Sequence, residues 1–447
     1  MKKYVVGAVL LALSSVSFAH PVRELSLARC EQDALVSSAQ LKQLGGEAQA
    51  ARSSYESVKS ALYPSLTLDA SGSWVSEVPE LEFGPIKSKF GDNWGYSVGP
   101  TLSYTLFDAG GRGDARESAF SAYNAKLQEL EFAKKQVLLQ VRQAYFTVQQ
   151  DLERMYFVNE QLNVARKQLA DVTSAYNAGA KSKLDVYMAR KQELRAQINI
   201  SSAQGALGAH LRELFRLTGT DYGINPLYPL DWRLAAAKEA SKATAFVKAD
   251  GLTDTVARFA PLADLAFDQN SPRLAALEHM ALYYEYLADS YKSSLYPRVG
   301  LQAGAYWEYP NGPIKEDVFL GKAGVALSMP LFEGSKNREL SKAQRASAEA
   351  SRYQKRDVQQ TLEKLFYSSK DRLYSVGVEE NLTRKMIEDS AETAKLTYQA
   401  YQAGAVTFLE VDNANLGLLE SRIGLADLYV EELNRLAVMD SLGRGAL

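Results

Sequence analysis

Cysteine is almost absent from this chain. Cys30 is the only one in 447 residues, so no internal disulfide can form. Histidine is scarce as well: His20, His210 and His279 lie far apart and lack the spacing of a metal centre. No glycine loop carries the lysine of a phosphate-binding turn, and no nucleophile sits beside a base. The chain is therefore read as not an enzyme, with no cofactor and no metal. Positive charge is not in excess either, at 51 Lys and Arg against 53 Asp and Glu, which argues against nucleic acid as a partner. After the first residues, no run approaches the roughly 20 apolar residues of a membrane-spanning helix.

The first segment, residues 1–19, reads as a signal peptide. Lys2 and Lys3 precede the apolar run Val5–Leu13, and Ser17-Phe18-Ala19 supplies the small residues of a cleavage site. Its removal takes the net charge from −2 to about −4. Arg29 before Cys30 is wrong for lipoprotein cleavage, so no lipid anchor is expected there. An exported chain with no apolar helix either stays in water or crosses a membrane as strands.

The sequence then states one plan twice. Tyr176-Asn-Ala-Gly-Ala-Lys-Ser-Lys-Leu-Asp-Val186 recurs as Tyr401-Gln-Ala-Gly-Ala-Val-Thr-Phe-Leu-Glu-Val411, and Leu106-Phe107 recurs as Leu331-Phe332, both at an offset of 225. Tyr63-Pro64 and Tyr296-Pro297 match at an offset of 233, so only the strand loops differ in length. Each copy reads helix, two strands, very long helix, sharp turn, helix. The first repeat covers 20–218 and the second 271–442; an irregular equatorial segment, 219–270, joins them, and 443–447 is a tail.

Strict alternation marks four strands, at about 65–75, 94–107, 298–309 and 321–332. Leu66, Leu68, Ala70, Gly72 and Trp74 share one face; Thr67, Asp69, Ser71 and Ser73 share the other. One wet face and one apolar face fit a soluble sandwich or a membrane barrel. Two features favour the barrel. Each strand is about ten residues long, the reach of a tilted transmembrane strand. Trp74, Trp94, Tyr96, Trp307 and Tyr309 gather toward the loop ends, as in an interfacial belt. Four strands cannot close a barrel, and an open edge in lipid leaves backbone groups unpaired at several kcal/mol each. Copies must pool strands: two would give eight and three would give twelve.

Heptad positions run from Leu127 through Val141, Val148, Met155, Leu162 and Leu169 to Tyr176, alternating with Leu130, Val137, Ala144, Val158, Ala165 and Val172, and only Lys134 and Asp151 break the pattern. A sustained 3.5-residue period is the mark of coiled-coil packing. About 65 residues make a helix of about 100 Å. Gly179 and Gly404 stop the long helices at 112–178 and 335–402. Ser182 and Thr407 cap the returning helices at 183–217 and 408–442. Helices at 25–62 and 272–295 lead into the strand pairs. At the turns, Asp185, Glu410 and Asp412 suit the first turn of a helix. If several copies converge there, each acid also becomes a ring of carboxylates that selects cations. The tripeptide Arg112-Gly113-Asp114 falls at a strand–helix junction, which argues against cell adhesion.

The two Tyr-x-Ala-Gly turns, the Tyr63-Pro64 and Tyr296-Pro297 strand entries, and the Leu106-Phe107-Asp108-x-Gly110-Gly111 and Leu331-Phe332-Glu333-Gly334 exits together resemble the TolC family of outer-membrane efflux proteins. The resemblance implies a mixed fold of coiled-coil α-helix and transmembrane β: a trimer with a shared 12-stranded barrel, four strands from each protomer, on a long periplasmic α-helical tunnel. It implies a passive duct in a tripartite export system, for small-molecule efflux or type I protein secretion. The expected partners are two further copies, a periplasmic adaptor protein, an inner-membrane transporter and outer-membrane lipid. The location would be the outer membrane of a Gram-negative bacterium, with most of the chain in the periplasm. Glu410 resembles the family's acidic entrance position, while Asn413 stands where a second acid often occurs, next to Asp412. Tyr401 and Asp185 resemble residues that link neighbouring hairpins in the closed state. Val406 stands where an arginine would complete a second link, so a weaker closure is expected. The competing reading is an exported structural coiled-coil protein, a scaffold or adhesin, which leaves the paired strands unexplained.

Overall fold

The computed structural model describes residues 23–84, 86–89, 91–220 and 247–444. The signal segment, His20 and much of the inter-repeat segment lie outside these residues. The element order is β1 (Arg23–Leu25), α1 (Leu27–Ser37), α2 (Ala39–Ser60), β2 (Ser65–Trp74), β3 (Glu80–Phe83), β4 (Ile86–Lys89), β5 (Trp94–Phe107), α3 (Gly111–Asn177) and α4 (Lys183–Thr218). It continues with β6 (Val247–Ala249), α5 (Leu252–Phe259), a 3₁₀ turn (Ala260–Asp264), α6 (Pro272–Ser293), β7 (Arg298–Tyr309), β8 (Val318–Ser328), α7 (Lys336–Gln402) and α8 (Phe408–Leu442). Both long helices have 67 residues, and their bounds differ by the same 225 positions as the sequence motifs.

The chain divides into two compact units. One holds residues 39–136, 266–368 and 441–447, with the antiparallel sheet β2-β5-β7-β8. The register puts every apolar strand face on one side. Leu66 pairs with Leu102, which pairs with Ala303, which pairs with Ala323. The opposite face carries Thr67 against Thr101 and Ser97 against Glu308. On that wet face the Thr101 and Tyr306 hydroxyls lie 2.7 Å apart, and Lys322 Nζ donates to Glu308 over 2.5 Å. On the apolar face, Leu66 and Leu68 are exposed. β2 and β8 form the edges of the sheet.

Three corrections apply to the strands. β8 spans Val318–Ser328 rather than 321–332. Its ladder ends where β7 begins, at Arg298 opposite Ser328, and Pro330 has no N–H to extend it. The loop after β2 also carries a small hairpin, β3 with β4. The N-terminal helix is broken at Ser38, whose backbone is not helical, and is preceded by a strand.

Each strand exit repeats one device. Asp108 Oδ2 accepts the Arg112 N–H over 2.9 Å, and Glu333 Oε1 accepts the Asn337 N–H over 3.1 Å. Two consecutive left-handed residues separate strand from helix in both copies, Ala109-Gly110 and Gly334-Ser335. Arg112 also donates to the carbonyls of Ala61 and Thr105, so the adhesion-like tripeptide is a structural knot. The tail is partly held: the Arg444 N–H donates to the Ala266 carbonyl over 2.9 Å.

The second unit holds residues 1–38, 137–265 and 369–440. The inter-repeat segment is more ordered than expected: β6 pairs in parallel with β1, and α5 follows it. Arg142 joins Glu31 and Asp440 in a largely buried triad. The heptad residues Val141, Val148, Met155, Leu162 and Val172 are buried. Asp151, a break in that pattern, is also buried, and its Oδ2 lies 2.5 Å from His210 Nδ1. Burial raises the Asp151 pKa, and His210 opposes that rise.

Candidate functional site

Both helical hairpins turn in five residues with the same backbone. The Ala180 N–H donates to the Ala175 carbonyl over 2.8 Å, and the Gly179 N–H to Tyr176 over 2.9 Å. The Ala405 N–H donates to Ala400 over 2.9 Å, and the Gly404 N–H to Tyr401 over 3.0 Å. These are two Schellman motifs, which satisfy the orphan carbonyls of a helix end. Gly179 and Gly404 have φ of +79° and +81°. A side chain at either would meet nothing within 4 Å, so glycine is required for its conformation alone.

The returning helices start differently. Ser182 and Asp185 form a reciprocal capping box: Ser182 Oγ accepts from the Asp185 N–H at 3.2 Å, and Asp185 Oδ2 accepts from the Ser182 N–H at 3.0 Å. Glu410 Oε2 accepts the Thr407 N–H at 3.2 Å and the side chain stays exposed. Asp412 lies 3.4 Å from Arg195 Nη1, which balances its charge. Of the three expected entrance acids, Asp185 is engaged in a cap and Asp412 in an ion pair. Glu410, though it too reaches back to its cap, is the exposed one. Asn413 is exposed beside it.

Tyr401 is 3 % exposed and packs in an apolar cluster with Val172, Ala189, Phe408 and Val411. Its ring meets Phe408 edge-on at 5.3 Å. The Tyr401 hydroxyl is buried and makes no well-formed hydrogen bond among the described residues, with the Asp185 carboxylate close enough to act on it. Burial, and then the nearby Asp185 carboxylate, push its pKa up to about 12. One turn earlier, the Tyr398 hydroxyl donates to Asp171 over 2.9 Å. Burial, then that carboxylate, push Tyr398 up to about 12 as well. Both phenols therefore stay protonated through the physiological range.

Lys181 was not singled out by sequence reasoning. Its Nζ donates to the Tyr401 carbonyl over 2.6 Å and sits 4.0 Å above the Tyr401 ring. The available signal was the difference between the copies, where Lys181 aligns with Val406. Asp171 and Tyr398 were likewise missed. Among the described residues, no group of three or more His, Cys, Asp or Glu could hold a metal ion.

In the other unit, the aromatic residues expected at a membrane interface form cross-strand pairs near the loop end of the sheet. Trp74 pairs with Trp94. Tyr96 stacks on Tyr309 at 5.7 Å, and Trp307 meets Phe319 at 6.4 Å. The Tyr309 hydroxyl donates to Asp92 over 2.8 Å, tying the end of β7 to the loop before β5.

A family model described as outer membrane efflux protein matches residues 31–220 and 266–438. The cation efflux system protein CusC of Escherichia coli is 23% identical over 423 residues, covering 92% of this chain and 85% of that protein. A membrane protein from Pseudomonas aeruginosa superimposes with a TM-score of 0.75 at 18% identity, covering 99% of each chain. The outer membrane protein VceC of Vibrio cholerae gives a TM-score of 0.74 at 17% identity, covering 94% of this chain and 96% of that one. At these identities the solved structures establish a shared fold.

Proposed function

Because this chain belongs to the outer membrane efflux protein family, whose members are passive outer-membrane channels, we propose that three copies complete one barrel and present their helical hairpin turns as its entrance. The family match removes the structural-scaffold alternative. The supporting observation is the sheet: four strands, one apolar face, and two edges without a neighbour among the described residues. In lipid such edges are satisfied only by closure with other copies. Trp74, Trp94, Tyr96, Trp307 and Tyr309 would then mark the membrane interface.

At the entrance, Gly179 and Gly404 shape the turns, Ser182 and Thr407 start the returning helices, and Tyr401 links the hairpins. Glu410 supplies the principal ring of carboxylates, with Asp185 and Asp412 as weaker contributors because each is already engaged. A periplasmic adaptor protein and an inner-membrane transporter would provide contact and energy. CusC is named as a cation efflux protein; for this chain we take efflux of cations or small molecules as the cargo class.

Reconstitution of the purified protein in planar lipid bilayers tests the channel. Discrete pore currents are expected, blocked by multivalent cations from the entrance side, with the block weakened about tenfold or more in Glu410→Ala. A mature protein that is monomeric and water-soluble without detergent would refute the shared barrel. A deletion strain that keeps its cation and drug tolerance while losing a secreted protein would reassign the cargo.

A further inference from the structure

The two repeats share a strand register as well as a plan. β7 corresponds to β2 at the offset of 233, and β8 to β5 at the offset of 225, as the Tyr-Pro entries and Leu-Phe exits show. Shifting the first strand pair by these amounts returns the second. Leu66 opposite Leu102 becomes Val299 opposite Leu327, and Trp74 opposite Trp94 becomes Trp307 opposite Phe319. Both are pairs that β7 and β8 make. The offsets come from motifs outside these pairings, so the agreement is independent of them. Duplication has kept the register residue for residue.

The seam between repeats, β5 against β7, can be carried forward in the same way. It then predicts how β8 meets β2 of a following copy. Leu102 opposite Ala303 becomes Leu327 opposite Ala70, and Tyr104 opposite Leu301 becomes Met329 opposite Leu68. Apolar residues meet apolar residues along this line. On the wet face Ser328 meets Asp69 and Ala326 meets Ser71, so no like charges oppose each other. The same shift accounts for the early end of β8. In β5, Tyr104–Phe107 outruns β2 and is paired by β7. The equivalent Met329–Phe332 outruns β7 and has no strand partner among the described residues. Leu106 and Phe107 are accordingly 48% and 52% exposed, while Leu331 and Phe332 are 93% and 92% exposed. Pro330 is equivalent to Thr105, where β5 shifts register against β7, and such irregularities are where a strand tolerates proline.

We propose that β8 of one copy pairs antiparallel with β2 of the next in one fixed register, Leu327 against Ala70 and Met329 against Leu68, and that this pairing carries β8 on to Phe332. This rests on the shared-barrel reading above. A slip of one residue would turn Leu66 and Leu68 to the wet side. A slip of two would keep the faces but leave backbone groups unpaired at one end of the seam, in lipid. The last four residues of the strand are ordered by a neighbour, and the chain's own β5–β7 seam is the template for that joint.

Cysteine pairs test the register. In a Cys30→Ala background, Met329→Cys with Leu68→Cys, and separately Leu327→Cys with Ala70→Cys, are oxidised in the membrane and run on denaturing gels. β2 and β8 lie at opposite edges of the sheet, so these disulfides can form only between copies. Directly opposed residues have Cβ atoms about 4.5–5.5 Å apart, whereas diagonal neighbours lie about 7–8 Å apart. Both matched pairs should link into covalent trimers about tenfold faster than the slipped pairs, Met329→Cys with Ala70→Cys or with Leu66→Cys. Slipped pairs that link as fast as matched ones would overturn the register. So would trimers captured by a lysine-reactive cross-linker with no link at either matched pair. A chain that stays monomeric under both reagents would instead condemn the shared barrel. Amide hydrogen exchange in the unsubstituted oligomer tests the extension. At least one of the Met329, Leu331 and Phe332 amides should exchange about tenfold or more slower than an open loop. Uniformly fast exchange at all three would overturn the extension of β8.

Discussion

The two hairpins share a backbone and differ in what they bury. Tyr176 and Tyr401 occupy equivalent positions, yet the first is 40% exposed and the second 3%. Lys183 is exposed where Phe408 is 1% exposed. The turn hydrogen bonds and the positive φ of the glycines are the same in both. Duplication has thus preserved the parts that set chain direction. Divergence has acted on side chains: the residues flanking the second turn, Tyr401 and Phe408, are buried, while their counterparts at the first turn, Tyr176 and Lys183, are exposed. A single early turn could not have done both, because an exposed flank suits charge and a buried flank needs apolar volume.

The largest expected asymmetry lies at the equivalent pair Phe408 and Lys183. Phe408→Ala removes a fully buried ring from the cluster around Tyr401 and should cost about 3–5 kcal/mol. Lys183→Ala should change stability by less than about 0.5 kcal/mol. Thermal unfolding in detergent, followed by near-ultraviolet circular dichroism, separates the two. Equal losses would mean that the hairpins do not differ in burial.

A second asymmetry lies higher on the same hairpins. Glu380 and Glu432 align with Met155 and Leu207, both buried in the first copy. Glu380 Oε1 and Glu432 Oε2 are buried without partners. Burial, then the neighbouring Glu380 carboxyl, push Glu432 up to about 7 from an ordinary 4.5, partly offset by Arg384, which lies 4.0 Å from Glu380. Between those two values the folded state binds more protons than the unfolded state. Stability should therefore be highest below about 4.5 for this pair and fall as pH rises through about 7. The double variant Glu380→Met with Glu432→Leu, which copies the first hairpin, should flatten that dependence. It should also raise stability at pH 8 by about 1–3 kcal/mol, since buried carboxylates give way to packed apolar groups. A melting temperature that is level from pH 5 to pH 8 in the unaltered protein would remove the basis for this.

Much of this comparison is legible in the sequence. The constant offset of 225 survives into both long helices because a helix–turn–helix tolerates no insertion without breaking its seam. Strand faces were readable from alternation, since a period of two fixes which residues share a side. The end of β8 was not. Met329 and Leu331 continue the alternation, but a strand lasts only as long as its partner, and β7 starts at Arg298. The parallel pair of β1 with β6 was also invisible, because three-residue strands carry no period and their partners lie far apart in sequence. At the turns, the glycines and the Ser182 cap were legible as local chemistry; the Thr407 cap expected from the same pattern is not formed by its hydroxyl among the described residues. Lys181 was not legible, because its partners belong to the other hairpin and only the folded path brings them within reach.

The smallest expected effect concerns how each returning helix begins. Ser182 and Thr407 are equivalent, and both precede an acid three residues on. Only Ser182 closes the full box, its hydroxyl accepting the Asp185 N–H while Asp185 reaches back. The Thr407 hydroxyl makes no such bond among the described residues; its N–H alone is held by Glu410. Ser182→Ala should therefore cost about 1 kcal/mol by exposing an orphan N–H. Thr407→Ala should cost only a few tenths, because nothing satisfied is lost. Amide exchange at Asp185 and Glu410 gives the test locally: Ser182→Ala should speed exchange at Asp185 severalfold, and Thr407→Ala should leave Glu410 nearly unchanged. Comparable acceleration in both would show that the two caps are energetically alike. The difference between the hairpins would then begin at Lys181 and Phe408 rather than at the first residue of each returning helix.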